Sequence, residues 1–121
     1  MAKGLGTDII EIGRIERIIL RYGHKFLDRL FTKEEQSYCL THKKSSQHFA
    51  GRFSAKEAVV KSLGTGLRRG ITWLDIEIIN DEKGKPQVKL SPMLSQKFDH
   101  PEFLLSISHS QKYATAVAIR V

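Results

Sequence analysis

Three charged residues could do chemistry together: Asp8 near the end of GLGTDII, and Glu57 and Lys61 in FSAKEAVVKSLGTG. On a helix, Ala50, Ser54, Glu57 and Lys61 fall on one face, so small residues leave room around a carboxylate and an ammonium. Two readings of that face are open. A Glu57–Lys61 pair one turn apart on an exposed helix contributes only about 0.2–0.5 kcal/mol and is a common surface feature. Alternatively, the carboxylate helps hold a hard cation such as magnesium, which needs a second oxygen ligand plus waters or substrate phosphates. Asp8 is the candidate second ligand. Nothing in the spacing alone carries Asp8 to Glu57.

The glycines of LGTGLRRG invite a phosphate loop, but they follow a helix instead of joining a strand to one, and GxxxxGK[ST] is missing. They still permit close approach of backbone to a ligand, with Lys61, Arg68 and Arg69 supplying positive charge. His109 ends the SISH segment, a position from which side chains often turn towards a site. Cys39 has no metal-ligand spacing with any histidine, which disfavours zinc, and no GxSxG nucleophile signature is present.

The elements that must position these groups form an α+β pattern. GLGTDII reads as a short strand entered through glycines. Ile12, Ile15, Ile19, Tyr22 and Phe26 then recur at steps of three and four, predicting one buried helix face with a break near Gly23. TKEE at 32–35 is a capping box that starts a short helix at Lys33, running towards Leu40. THKKSSQ reads as a loop. Phe49, Phe53, Val60 and Leu63 give the next helix its apolar stripe, and Gly64 stops it. TWLDIEIIN alternates like a strand, NDEKGKP turns, and QVKL returns. FLLSISHS and YATAVAIRV form a second hairpin about Gln111 and Lys112. With 121 residues and no repeat or linker, one domain over 1–121 is expected.

Charge narrows the partner. The net charge is +7, so the partner should be anionic. Arg14, Arg17, Arg21 and Lys25 share one arc of the first helix, opposite its isoleucine face and beside Ile18. That arc is either a solvated basic face or a docking surface for an acidic helix, with Ile18 as its apolar anchor. No recognised nucleic-acid motif or aromatic stacking platform accompanies it. A single cysteine suits a reducing compartment, and MAKGLGTDII lacks the apolar core of a signal peptide. No segment approaches the roughly 20 apolar residues of a membrane span. A cytoplasmic protein is expected.

Taken together, GTDI at 6–9, FSAKEAVVKSLGTG at 53–66, DIEI at 75–78, GKP at 84–86 and SISHS at 106–110 stand in an order that resembles one family. It is that of the holo-acyl-carrier-protein synthases, small bacterial phosphopantetheinyl transferases, and the resemblance covers essentially the whole chain. It implies an α+β fold with a mainly antiparallel sheet and packed helices, assembled as a homotrimer with sites between subunits. It further implies transfer of 4′-phosphopantetheine from coenzyme A to a serine of apo-acyl carrier protein, for fatty-acid biosynthesis, with magnesium as cofactor. By that resemblance Asp8 and Glu57 are the metal ligands and, with Lys61, the catalytic set. Lys61 and Gly64 contact coenzyme A, as do Arg52 and His109 from a neighbouring subunit. Arg14, Arg17, Ile18, Arg21 and Lys25 dock the carrier protein. Neither nucleic acid nor membrane is an implied partner.

Overall fold

A computed structural model describes residues 1–64, 66 and 70–121. Strand β1 (Gly4–Glu11) opens the chain, followed by helices α1 (Ile12–Tyr22), α2 (His24–Leu30), α3 (Lys33–Leu40) and the long α4 (Ser45–Leu63). A 3-10 turn (Trp73–Asp75) then leads into the hairpin of β2 (Ile76–Asn80) and β3 (Pro86–Leu90). A short helix α5 (Pro92–Lys97) precedes β4 (Phe103–His109) and β5 (Tyr113–Arg120). All strand pairing is antiparallel: β1-β5-β4 form one sheet and β2-β3 the other. The α+β expectation is met.

Helix α4 lies against the inner face of the larger sheet, and residue size on both sides explains how closely. Ala114, Ala116 and Ala118 of β5 are buried against it, as are Ala55 and Ala58 on the helix. On β1 even alanine would be too large. A Cβ on Gly6 would sit 1.9 Å from the Ala58 carbonyl oxygen, and one on Gly4 1.9 Å from that of Ser62. The glycines of GLG therefore let the strand backbone touch the helix backbone. Around this contact one apolar cluster joins α4 to Ile76, Ile78, Leu94 and Leu105. A second joins its first half to Ile15, Leu27, Leu30, Phe31 and Cys39.

Local signals set the boundaries. Gly23, at φ 56°, separates α1 from α2. Thr32 and Glu35 complete the capping box of α3 in both directions, at 3.2 and 2.9 Å. Gly64 ends α4 in the left-handed region at φ 80°.

Three expectations need correction, and one further element appears. Tyr22 is not buried: it is the last residue of α1, the chain turns away at Gly23 directly after it, and the ring stands exposed with the Arg21 guanidinium over it at 5.3 Å. The last residues of THKKSSQ are helical, because α4 begins at Ser45. The first residues of TWLDIEIIN form the 3-10 turn, since Asp75 accepts from the Thr72 amide at 2.7 Å and curls the chain before the strand starts. Helix α5 was not anticipated, although Ser91 caps it and Pro92 occupies its first turn. Among the described residues no helix is long and apolar enough to cross a membrane.

Candidate active site

Asp8 sits on β1 with its side chain turned to α4, the same side as the close-packed Gly6. Its backbone carbonyl accepts from Ser54 Oγ of α4 at 3.1 Å and from Thr115 Oγ1 of β5 at 2.7 Å. The strand is thus fastened on both sides at this residue. Lys61 donates to the Thr7 carbonyl at 3.0 Å and pairs with Asp8 Oδ1 at 3.4 Å. The lysine pairs with the strand carboxylate as well as lying one turn from Glu57.

Glu57 projects from α4 into the same place. Burial pushes its carboxyl above the ordinary glutamate value, and the Asp8 charge adds to this while Lys61 opposes it. A glutamate whose charge is disfavoured by burial and by a neighbouring carboxylate, with a lysine beside the pair, makes a site that gains from a cation.

A cavity of about 480 Å³ opens from this point. Asp8 and Glu57 line it, together with Arg14, Ile15 and Ile18 of α1, Phe26, Phe53 and Tyr113. Ile18 and Phe26 also wall a second cavity that Tyr22, Lys25, Arg29 and Trp73 complete. Arg14, Arg17, Arg21 and Lys25 are all exposed, but Lys25 lies on α2, beyond the Gly23 break. The basic arc therefore spans two helices and borders the carboxylate cavity at Arg14 and Ile18.

The structure brings Asp8, Glu57 and Lys61 together and leaves Gly64, exposed, at the end of the same helix. It does not bring Arg52 or His109 to that cavity. Arg52 is 5% exposed, donates from Nη2 to Asn80 Oδ1 at 2.7 Å and stacks over the Tyr38 ring at 3.9 Å. His109 is exposed at the end of β4, where the Gln47 amide contacts its ring nitrogens. Thr65, Arg68 and Arg69 of the LGTGLRRG reading lie outside the described residues. Burial pushes the Cys39 thiol up to about 12, so it supplies no thiolate.

Sequence reasoning overlooked three supports. Ser54 and Thr115 hold the Asp8 carbonyl, but lone hydroxyls carry no pattern. Lys56 was hidden by its own motif: in AKEA it reads as a surface charge, yet it is fully buried. Its ammonium donates to Leu30 O at 2.6 Å and Trp73 O at 3.1 Å and pairs with Glu35 Oε1 at 2.7 Å.

The profile of the 4′-phosphopantetheinyl transferase superfamily matches residues 4–118. The chain belongs to that superfamily. A curated relative, the holo-[acyl-carrier-protein] synthase of Protochlamydia amoebophila, is 59% identical over 119 residues, covering 98% of each chain. Among solved transferases, the holo-[acyl-carrier-protein] synthase of Helicobacter pylori, in complex with coenzyme A, superposes with a TM-score of 0.88 at 35% identity. That alignment covers 97% of this chain and 99% of the other. The Neisseria meningitidis synthase gives 0.91 at 33% identity, over 100% and 99% of the two chains.

Proposed function

We infer that this transferase is a holo-acyl-carrier-protein synthase of the bacterial cytoplasm, formed by one domain over 1–121. It moves 4′-phosphopantetheine from coenzyme A to a serine of apo-acyl carrier protein, the modification that fatty-acid biosynthesis requires. The observation that carries this is the cavity in which Asp8 and Glu57 stand beside Lys61 at a wall made by Arg14 and Ile18. A site for a phosphate-bearing donor and a surface for an acidic acceptor meet there. The relatives' names and the coenzyme A complex of the Helicobacter pylori synthase support the assignment.

In the reaction the serine oxygen bonds to the phosphorus that carries pantetheine. The bond from that phosphorus to the adenosine 5′-phosphate oxygen breaks, releasing adenosine 3′,5′-bisphosphate. The hydroxyl proton leaves to solvent, directly or by way of a water that Glu57 positions. Lys61 faces the leaving phosphate and offsets its growing charge.

Asp8 and Glu57 fit magnesium: both are oxygen donors, and the cost that burial and the Asp8 charge place on the Glu57 carboxylate is what a divalent cation would relieve. Asp8 and Glu57 would be the residues that hold the ion. When bound, the ion neutralises the diphosphate and polarises the attacked phosphorus.

The acidic carrier docks on Arg14, Arg17, Ile18, Arg21 and Lys25, the charges steering it and Ile18 anchoring it. Gly64 lies at the nucleotide. Arg52 and His109, remote from the cavity in one chain, serve a neighbouring subunit's coenzyme A in a homotrimer. The outer face of the β1-β5-β4 sheet supports this assembly, since Leu5, Ile9, Leu104, Tyr113 and Val117 are all exposed on it. Ile9 and Tyr113 also line the carboxylate cavity, which puts that cavity at the edge of the apolar face.

Intact-mass spectrometry of apo-acyl carrier protein incubated with the enzyme, coenzyme A and magnesium tests the assignment. A gain of one phosphopantetheine, lost with Asp8→Ala and Glu57→Ala, is the expected result. An unchanged mass with folded enzyme and competent carrier would overturn it.

A further inference from the structure

Away from the carboxylate cavity, the chain assembles a cluster of groups that are cations or can become cations. The His42 and His48 rings lie against each other with centroids 4.0 Å apart. The Tyr38 ring abuts both, at 4.7 and 5.7 Å, and the Arg52 guanidinium covers Tyr38 at 3.9 Å. His109 joins from the end of β4 through Gln47, one residue before His48. Arg52 is nearly fully buried, and its Nε has no hydrogen-bond partner among the described residues. The imidazoles are therefore the more accessible part of the cluster, with the guanidinium beneath.

We propose that His42 and His48 belong to the anion subsite of Arg52 and His109, and that this subsite takes up a proton when it receives a phosphate. The inference rests on the reading that Arg52 and His109 serve coenzyme A. Neither His42 nor His48 figures in that reading.

The groups facing His48 can be named from each packed element. Helix α3 supplies Tyr38, the turn after it His42, α4 supplies Arg52, and β4 supplies His109. Asn80 of β2 is neutral and bonds the Tyr38 hydroxyl at 3.3 Å. The buried carboxylate of Glu35, which acts with Arg52 on Cys39, is engaged by Lys56 at 2.7 Å. Burial, and after it His42, Arg52 and His109, hold the His48 imidazole below the ordinary histidine value, and no carboxylate opposes them. A phosphate dianion reverses that balance. It is attracted by every cation present, and its charge favours protonation of the His48 imidazole, which burial and the neighbouring cations had discouraged. Linkage is reciprocal, so a ligand that raises proton affinity must bind more tightly as protons become available.

The probe is adenosine 3′,5′-bisphosphate, titrated calorimetrically into the full chain in two buffers of different ionisation heat. At pH about 7.5 a phosphomonoester with a second pKa near 6 is almost wholly dianionic, so the ligand itself contributes few protons. The expected result is net uptake of several tenths of a proton per site and an affinity that falls several-fold from about pH 6.5 to 8. His48→Gln and His42→Gln should each reduce the uptake and flatten the pH slope, while His100→Gln leaves both unchanged. Thermal unfolding confirms that each variant is folded. Absence of binding, or binding that His109→Gln does not weaken, would overturn the coenzyme reading and the inference with it. Weakening by His109→Gln, with an unchanged proton count in the His42 and His48 variants, would overturn the inference alone.

Discussion

Replacing Gly6 by alanine adds one methyl group, and the structure says what it must displace. The new Cβ would lie 1.9 Å from the Ala58 carbonyl oxygen, 2.8 Å from the Ser62 amide nitrogen and 2.9 Å from the Ala58 carbonyl carbon. All three are backbone atoms of α4, so no side-chain rotation relieves the clash. Bringing the shortest contact to an ordinary distance requires β1 and α4 to part by about 1 Å or more, a shift that overpacked cores resist at about 1–3 kcal/mol or more. Asp8 is two residues along the same strand. Its carbonyl bonds to Ser54 and Thr115, at 3.1 and 2.7 Å, and its 3.4 Å pair with Lys61 would stretch or break. Each lost hydrogen bond adds about 1 kcal/mol. Displacement of a reacting group by about 1 Å costs on the order of 100-fold in rate. Gly6→Ala should therefore lower the unfolding midpoint by on the order of 10 °C. It should also cut phosphopantetheine transfer by about two orders of magnitude in fully folded protein below that midpoint. Gly13→Ala is the stability control: there the Cβ meets only the mobile tip of Arg17 at 3.3 Å, and stability should hold or rise. Circular-dichroism melts and intact-mass kinetics read both variants. A Gly6→Ala protein that melts within about 2 °C of the parent and turns over at an undiminished rate would show that the strand–helix contact does not set the site.

Three further outcomes follow from the same geometry. Lys56→Met strands the buried Glu35 carboxylate and should cost about 3–5 kcal/mol in urea unfolding, with Glu35→Gln on top of it costing less than the two single changes summed. Glu57 holds its proton more tightly folded than unfolded, so its contribution to stability is full below the unfolded value of about 4.3 and is lost as pH rises through the folded value. Glu57→Gln should consequently melt higher than the parent at pH 7, the gap closing towards pH 4, while transfer activity disappears; equal melts at pH 7 would contradict this. Arg14→Glu with Arg21→Glu should raise the KM for carrier protein on the order of tenfold with little change in kcat. The parent KM should itself rise with added salt, and a KM indifferent to both perturbations would remove α1 from the docking surface.

The elements legible in the sequence were those with a local physical signature. The capping box at Thr32, the glycine stops at 23 and 64 and the turn at Gly84 each follow from what a few adjacent residues can do. Helix α5 had comparable signals in Ser91 and Pro92, but it is only 6 residues long and sets up no periodicity. The candidate site was legible in parts. Motif resemblance singled out Asp8, Glu57 and Lys61, while spacing left them 49 residues apart, from 8 to 57, with no reason to meet. Their meeting depends on β1 lying on α4 at glycine, a tertiary fact. The fate of Arg52 was less accessible still. As an arginine it reads as a surface cation, and only Tyr38 and Asn80, from two other elements, explain its burial.

Lys56 and Glu57 are neighbours in sequence and about 100° apart on the helix, so a rotation that repositions one repositions the other. The lysine ammonium has three N–H donors and three partners: Leu30 O, Trp73 O and Glu35. Leu30 ends α2, the helix that carries Lys25, and Trp73 walls the cavity next to Ile18. The rotation of α4 that aims Glu57 at Asp8 is thus fixed by an anchor shared with α2, one of the two helices that would receive the carrier. A looser contact at Lys56 would misplace the acceptor surface and the carboxylate together. A buried charge is a costly way to fill a core, and apolar replacements often match it in stability. What a methionine could not do is hold two backbone carbonyls and a carboxylate at fixed directions, and those directions orient the helix that bears the site.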